Sequence, residues 1–144
     1  MKEASKTAVE TVKTTFNEDT KKPNKKSGEF QFYLPFGYEI NDKSPNNIIL
    51  KNGSKTFILF NNPQEDSASE VVYKATVAQY KHLDTNERFK KNNELGFILV
   101  KHLKDDLNEL TVGIGGTKMT TQTKTSSLAM DTKTMMQIVH SIKK

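Results

Sequence analysis

After Gly28 the chain alternates between apolar and polar positions. Phe30, Phe32 and Leu34 fall on every second position, the period of a half-buried strand. Pro35-Phe36-Gly37 predicts a turn, Tyr38 and Ile40 resume the alternation, and Asn41 to Pro45 is again turn chemistry. Ile48-Ile49-Leu50 and Phe57-Ile58-Leu59-Phe60 flank Lys51-Asn52-Gly53-Ser54. Two short apolar runs around Asn-Gly signal a hairpin, because these residues accept the positive φ that matches strand twist. Phe57 to Phe60 is apolar on both faces, which predicts a central strand.

Asn61-Asn62-Pro63 ends that strand. Ser67-Ala68-Ser69-Glu70 matches a capping box with Ser67 as N-cap, and Ala68, Val71, Val72, Ala75 and Ala78 follow at helical spacing, predicting a helix from Ala68 to Tyr80. Residues 81–94 are polar, with a short edge strand around Glu87 to Lys90. Gly96 to Leu103 reads as a buried strand, Lys104-Asp105-Asp106 as its turn, and Leu110, Val112 and Ile114 as its partner. Gly115-Gly116 turns the chain into a threonine-rich segment, Thr117 to Thr125, suited to an extended, half-exposed strand. Asp131 is expected to cap a last helix in which Met135, Ile138, Val139 and Ile142 share a face, with Lys143 and Lys144 complementing its dipole. The order predicts an α+β fold, a mainly antiparallel β-sheet flanked by helices, in one domain over residues 29–144.

Residues 1–28 read differently. Val9, Val12 and Phe16, with Ala8 beside them, make a short apolar stripe, but Thr11, Thr14 and Thr15 make it a poor isolated helix. Lys21 to Gly28 reads as a solvated linker, so the whole segment is expected to be a polar Lys/Thr-rich tail or tether. It holds seven lysines against Glu3, Glu10, Glu18 and Asp19, so most of the formal charge of +5 belongs to it and the folded part is nearly neutral. Arg88 is the only arginine. Without the guanidinium fork that reads guanine edges and clamps phosphate, specific nucleic-acid binding is not expected. The absence of cysteine removes disulfides, thiolate catalysis and Cys-type zinc sites. No run approaches the ~18 apolar residues of a membrane span, and Met1-Lys2-Glu3 leads into polar sequence rather than a signal peptide.

Phe30-Gln31-Phe32-Tyr33-Leu34-Pro35-Phe36-Gly37-Tyr38 resembles the F-x-F-x-L-P-x-G-(Tyr/Trp) opening of PsbP/Mog1-like domains. Thr111 to Thr120 and Met135 to Ile142 resemble the end of a family of exported or membrane-anchored proteins from low-GC Gram-positive bacteria. The likeness spans about residues 30–142. It implies the fold and an extracytoplasmic, lipoprotein-like setting, with residues 1–28 as the tether and the membrane reached only through an anchor outside this sequence. It implies no activity, since such domains serve mostly as accessory binding modules.

The remaining motifs have bland readings. Gly113-Ile114-Gly115-Gly116-Thr117-Lys118 lacks the four-residue glycine spacing of a P-loop and is followed by a strand, so it reads as a hairpin turn with a close-packed strand end. His82, His102 and His140 form no i, i+4 pair and sit beside no carboxylate cluster, so no metal site is expected. Glu18-Asp19, Glu65-Asp66 and Asp105-Asp106 with Glu109 fall at turns, helix starts or the tail. Ser126 and Ser127 lack a nucleophile elbow. No catalytic residue, metal ligand or cofactor is therefore expected. Tyr33, Phe36 and Tyr38 around the Leu34-Pro35 turn are the candidate partner-binding residues: either two of them stay exposed as a patch, or the loop buries them as a satellite core. The expectation is a non-enzymatic accessory or binding domain of an envelope-anchored protein, its partner a protein or an envelope component. The alternative is a cytosolic protein-binding module of the Mog1 kind.

Overall fold

A computed structural model describes residues 2–27 and 30–143. Its centre is a seven-stranded antiparallel sheet of β3 (Glu39–Lys43), β4 (Asn47–Asn52), β5 (Lys55–Asn61), β6 (Thr85–Lys91), β7 (Glu94–Lys104), β8 (Leu107–Ile114) and β9 (Thr117–Lys124), in the order β3-β4-β5-β9-β8-β7-β6. The predicted Asn52-Gly53 hairpin joins β4 to β5, with Gly53 at φ +62. Strand β5 lies between β4 and β9, the interior position expected of it, although Ile58 on its second face stays exposed. At the β8–β9 turn Gly115 has φ +54, and a Cβ there would lie 2.2 Å from the Asp66 carbonyl oxygen. The glycine-rich segment is thus a tight turn against a neighbouring loop, as the spacing implied.

One face of the sheet is covered by α1 (Lys2–Phe16) and α3 (Leu128–His140), which pack on each other. Ile48, Leu50, Phe57, Leu59, Ile98, Val100, Leu110, Val112 and Met119 point into this layer, and Val12, Phe16, Met135 and Ile138 meet them. The short α2 (Val71–Val77) lies on the other face, where Val72 and Tyr73 pack on Phe97 and Leu99 of β7. A small hairpin of β1 (Lys25–Ser27) and β2 (Phe30–Phe32) completes the α1/α3 side, and Gln31 exchanges both backbone hydrogen bonds with Lys143.

Several local expectations differ from what forms, among them the Asn41–Pro45 turn, whose first three residues belong to β3. Where the sequence predicts a solvated tail, Lys2–Phe16 is a helix with Ala8, Val12 and Phe16 buried at i, i+4 and i+8. Tertiary burial supplies the stability that its threonines deny it in isolation. The linker in turn holds β1, extended by Asn24, whose side-chain amide accepts from Leu34 N–H (2.7 Å) and donates to Leu34 C=O (3.1 Å). The expected domain start at Glu29 and the dipole role of Lys144 lie outside the described residues.

Helix α2 is shorter than predicted and Ser67 does not cap it. Asp66 Oδ1 accepts Ala68 N–H in an Asx turn, Ser69 Oγ accepts Val71 N–H, and Glu70 pairs with Arg88 at 3.0 Å instead of reaching back. Asp131 is not the cap of α3: a 3-10 turn, Thr125–Ser127, precedes the helix, and Asp131 sits within its first turn. There its Oδ2 accepts from Lys55 Nζ (2.5 Å) and Thr123 Oγ1 (2.6 Å), tying the helix to β5 and β9. The threonine-rich segment forms the extended, half-exposed strand expected of it: β9 is the middle strand, with Thr117, Met119, Thr121 and Thr123 buried on one face and Gln122 and Lys124 exposed on the other. Thr117, Thr121 and Thr123 are buried because each hydroxyl donates to a partner: Asn61 Oδ1, the Thr56 carbonyl and Asp131, respectively.

Candidate functional site

The helices leave the sheet unevenly covered. On the α2 face, the half of β5, β9 and β8 beyond the helix stays open, and Ile58 is 45% exposed there. A cleft of about 360 Å3 lies between the C-terminal end of α2 and this sheet surface. Strand register builds it. Phe60 pairs with Lys118, Ile58 with Thr120, Thr111 with Thr120 and Gly113 with Lys118, so these residues form successive rungs on one face.

Lys118 stands at one end. Its Nζ donates to Thr76 Oγ1 on α2 (3.0 Å) and lies 5.9 Å from the centroid of the Phe60 ring. Burial of the ammonium pulls its pKa below the usual lysine value, and the Glu109 carboxylate only partly opposes this. At the other end Tyr80 donates its hydroxyl to Glu109 Oε1. Burial, reinforced by that carboxylate, pushes the phenol up to about 12, so it stays protonated and remains a donor. Between the two ends Thr111 and Thr120 share a hydroxyl–hydroxyl bond of 3.1 Å. The cleft thus offers an ammonium, a chain of mutually bonded hydroxyls and an apolar floor of Phe60 and Ile58.

Sequence reasoning missed this cluster. Tyr80 and Glu109 are 29 residues apart and Lys118 and Thr76 are 42 apart, so no spacing rule links them. The one available signal was Lys118 itself, a lysine in a strand flanked by apolar and small residues.

The three aromatic candidates separate. Tyr33 and Tyr38 are half-buried against the core: Tyr33 N–H donates to Ser141 Oγ (2.7 Å), and the Tyr38 ring lies 5.3 Å from that of Phe57. Burial raises the Tyr38 phenol above its ordinary value. Phe36 alone is fully exposed, so the three do not form a continuous patch.

The other motif residues are engaged locally. His102 Nε2 bonds the Asp105 carbonyl, and His82 lies 3.6 Å from Asp84, whose carboxyl is held below the usual range chiefly by the His102 backbone N–H. His140 contacts Glu94 at 3.0 Å beside a second hollow of about 330 Å3 at the end of α3. Among the described residues no three His, Asp or Glu side chains come together as a metal site. Ser126 lies exposed in the 3-10 turn, and Glu65 Oε1 accepts from Ser69 Oγ (2.5 Å).

Fold and cleft define an α+β protein with an antiparallel sheet, two helices on one face and a partly open second face. No protein-family model matches the chain, and no curated protein matches it. Among the described residues no helix is long and apolar enough to cross a membrane.

Proposed function

We propose that this chain is a non-enzymatic binding domain whose ligand occupies the open cleft beside α2. One observation carries the reading: α1 and α3 cover one sheet face, whereas α2 stops short on the other and leaves Ile58 and the Phe60–Lys118 rung at the floor of a hollow. Clefts of a few hundred Å3 with an apolar floor and a few fixed polar groups are the usual form of small-ligand sites. The resemblance to PsbP/Mog1-like accessory domains supports a binding role over a catalytic one and an envelope setting over a cytosolic one. Fractionation of cells expressing the native gene tests the setting; recovery in the cytosol would overturn that part.

The binding role is tested by a thermal-shift screen of amphipathic small molecules against the wild type, Thr120→Tyr and Phe36→Ser. Tyrosine suits the strand and fills the cleft. Compounds that raise the wild-type Tm should lose their effect in Thr120→Tyr and keep it in Phe36→Ser. The reverse pattern would move the site to the exposed turn, and a panel without hits would defeat the proposal.

A further inference from the structure

The chemistry of the cleft narrows its ligand. Lys118 is half-buried, yet among the described residues no carboxylate lies within 4.0 Å of its Nζ. Lys55, equally half-buried, has Asp131 at 2.5 Å. A cation taken partly out of water without a counter-ion is costly, and a neutral hydroxyl with an aromatic face offsets only part of that cost. The donor count points the same way. An ammonium has three protons, and Thr76 takes one. Thr76 Oγ1 spends its own proton on the Val72 carbonyl (2.7 Å), so it can only accept. The hydroxyls are already chained: Thr111 and Thr120 share one bond, and Thr111 also hydrogen-bonds the Tyr80 phenol oxygen, whose own proton goes to Glu109. Two ammonium protons of Lys118 are therefore left without an acceptor among the described residues.

We propose that the cleft binds a small organic anion, a carboxylate on an apolar body, with the carboxylate at Lys118 Nζ and the body over Phe60 and Ile58. Glu109 does not close this position. It pairs across the sheet with Gln122, so the Thr111–Thr120 rung lies between it and Lys118, and one of its oxygens already accepts from Tyr80. Its charge repels a carboxylate placed further along the groove and so orients the ligand with its anionic end at Lys118. The apolar end then runs over Ile58, which also lines an adjoining hollow of about 440 Å3.

The inference rests on the cleft being the binding surface, and its test separates the two. Calorimetric titration of the full chain at low salt uses three matched probes: 3-phenylpropanoate, 3-phenylpropanamide and 3-phenylpropylamine. The carboxylate should bind about tenfold more tightly than the amide, because charge-assisted hydrogen bonds exceed neutral ones by roughly that factor, and the amine should bind weakest. Lys118→Met should abolish the preference and leave amide binding unchanged; Lys118→Gln, which keeps a polar head, controls for a misfolded methionine variant. Equal binding of carboxylate and amide by the wild type, or a preference that survives both substitutions, overturns the anion assignment while leaving the cleft as a site. Failure of all three probes to bind overturns both.

Discussion

Phe16 stacks on His140, ring centroids 5.4 Å apart and planes 22° from parallel, so the end of the first helix is fastened to the end of the last. The other side of the Phe16 contact is Phe89 of β6, at 4.9 Å in an edge-on arrangement. A segment that reads as a tether is therefore part of the core at its far end. Phe16→Ala should cost about 3 kcal/mol, the usual loss for a buried phenylalanine. Urea unfolding followed by circular dichroism measures it, and a loss under about 1 kcal/mol would show α1 to be dispensable.

The ion pair of Lys55 with Asp131 joins α3 to the sheet, and Thr123 bonds the same carboxylate oxygen. Removing one partner of such a pair leaves the other desolvated. Asp131→Ala should destabilise by about 2 kcal/mol, reduced from the fully buried case because Lys55 keeps partial access to water. The double substitution Lys55→Met with Asp131→Leu should recover most of this loss. A double-mutant cycle in urea measures both.

Thr132 is fully buried, and its hydroxyl has no hydrogen-bond partner among the described residues. Valine has the same shape and no polar atom to desolvate, and its helix propensity is close to that of threonine. Thr132→Val should raise stability by about 1 kcal/mol, visible as a higher Tm. An unchanged or lower Tm would mean that the hydroxyl is satisfied in solution.

Two cleft residues titrate with opposite consequences. The Lys118 pKa is lower in the folded protein than in the unfolded chain, so between the two values the unfolded chain binds the extra proton and stability rises with pH. Tyr80 is raised to about 12, so its contribution is fully present below the unfolded value of about 10 and is lost as pH climbs through 12. Urea midpoints measured from pH 8 upward should show a rise that disappears in Lys118→Met and, above pH 10, a fall that disappears in Tyr80→Phe. Retention of either limb in its variant would contradict the assignment.

What could be read in the chain divides along physical lines. The alternation around Phe30–Leu34, the Asn52-Gly53 hairpin and the two-sided apolar run at Phe57–Phe60 encode local geometry, and those elements form where expected. The threonine run Thr117–Thr125 was legible as a half-exposed strand, but the hydroxyl partners of Thr121 and Thr123, Thr56 and Asp131, were not, being distant in the chain. The α1 stripe was visible, but its docking depends on Phe89 and His140, which only the folded sheet brings near. Capping misled at Ser67 because Glu70 has a better partner in Arg88. The cleft was hidden for the same reason, its ionisable groups being assembled by strand register and by the end of α2 rather than by any motif.

The most direct test of the binding account is methyl NMR of the intact chain during titration with 3-phenylpropanoate. Shifts are expected for the Ile58 δ-methyl and Thr120 γ-methyl signals, with the other large exposed methyl-bearing side chains, Val71, Leu103 and Met130, unmoved. Shifts confined to those three, or no shift at Ile58 and Thr120 at saturating probe, would contradict it.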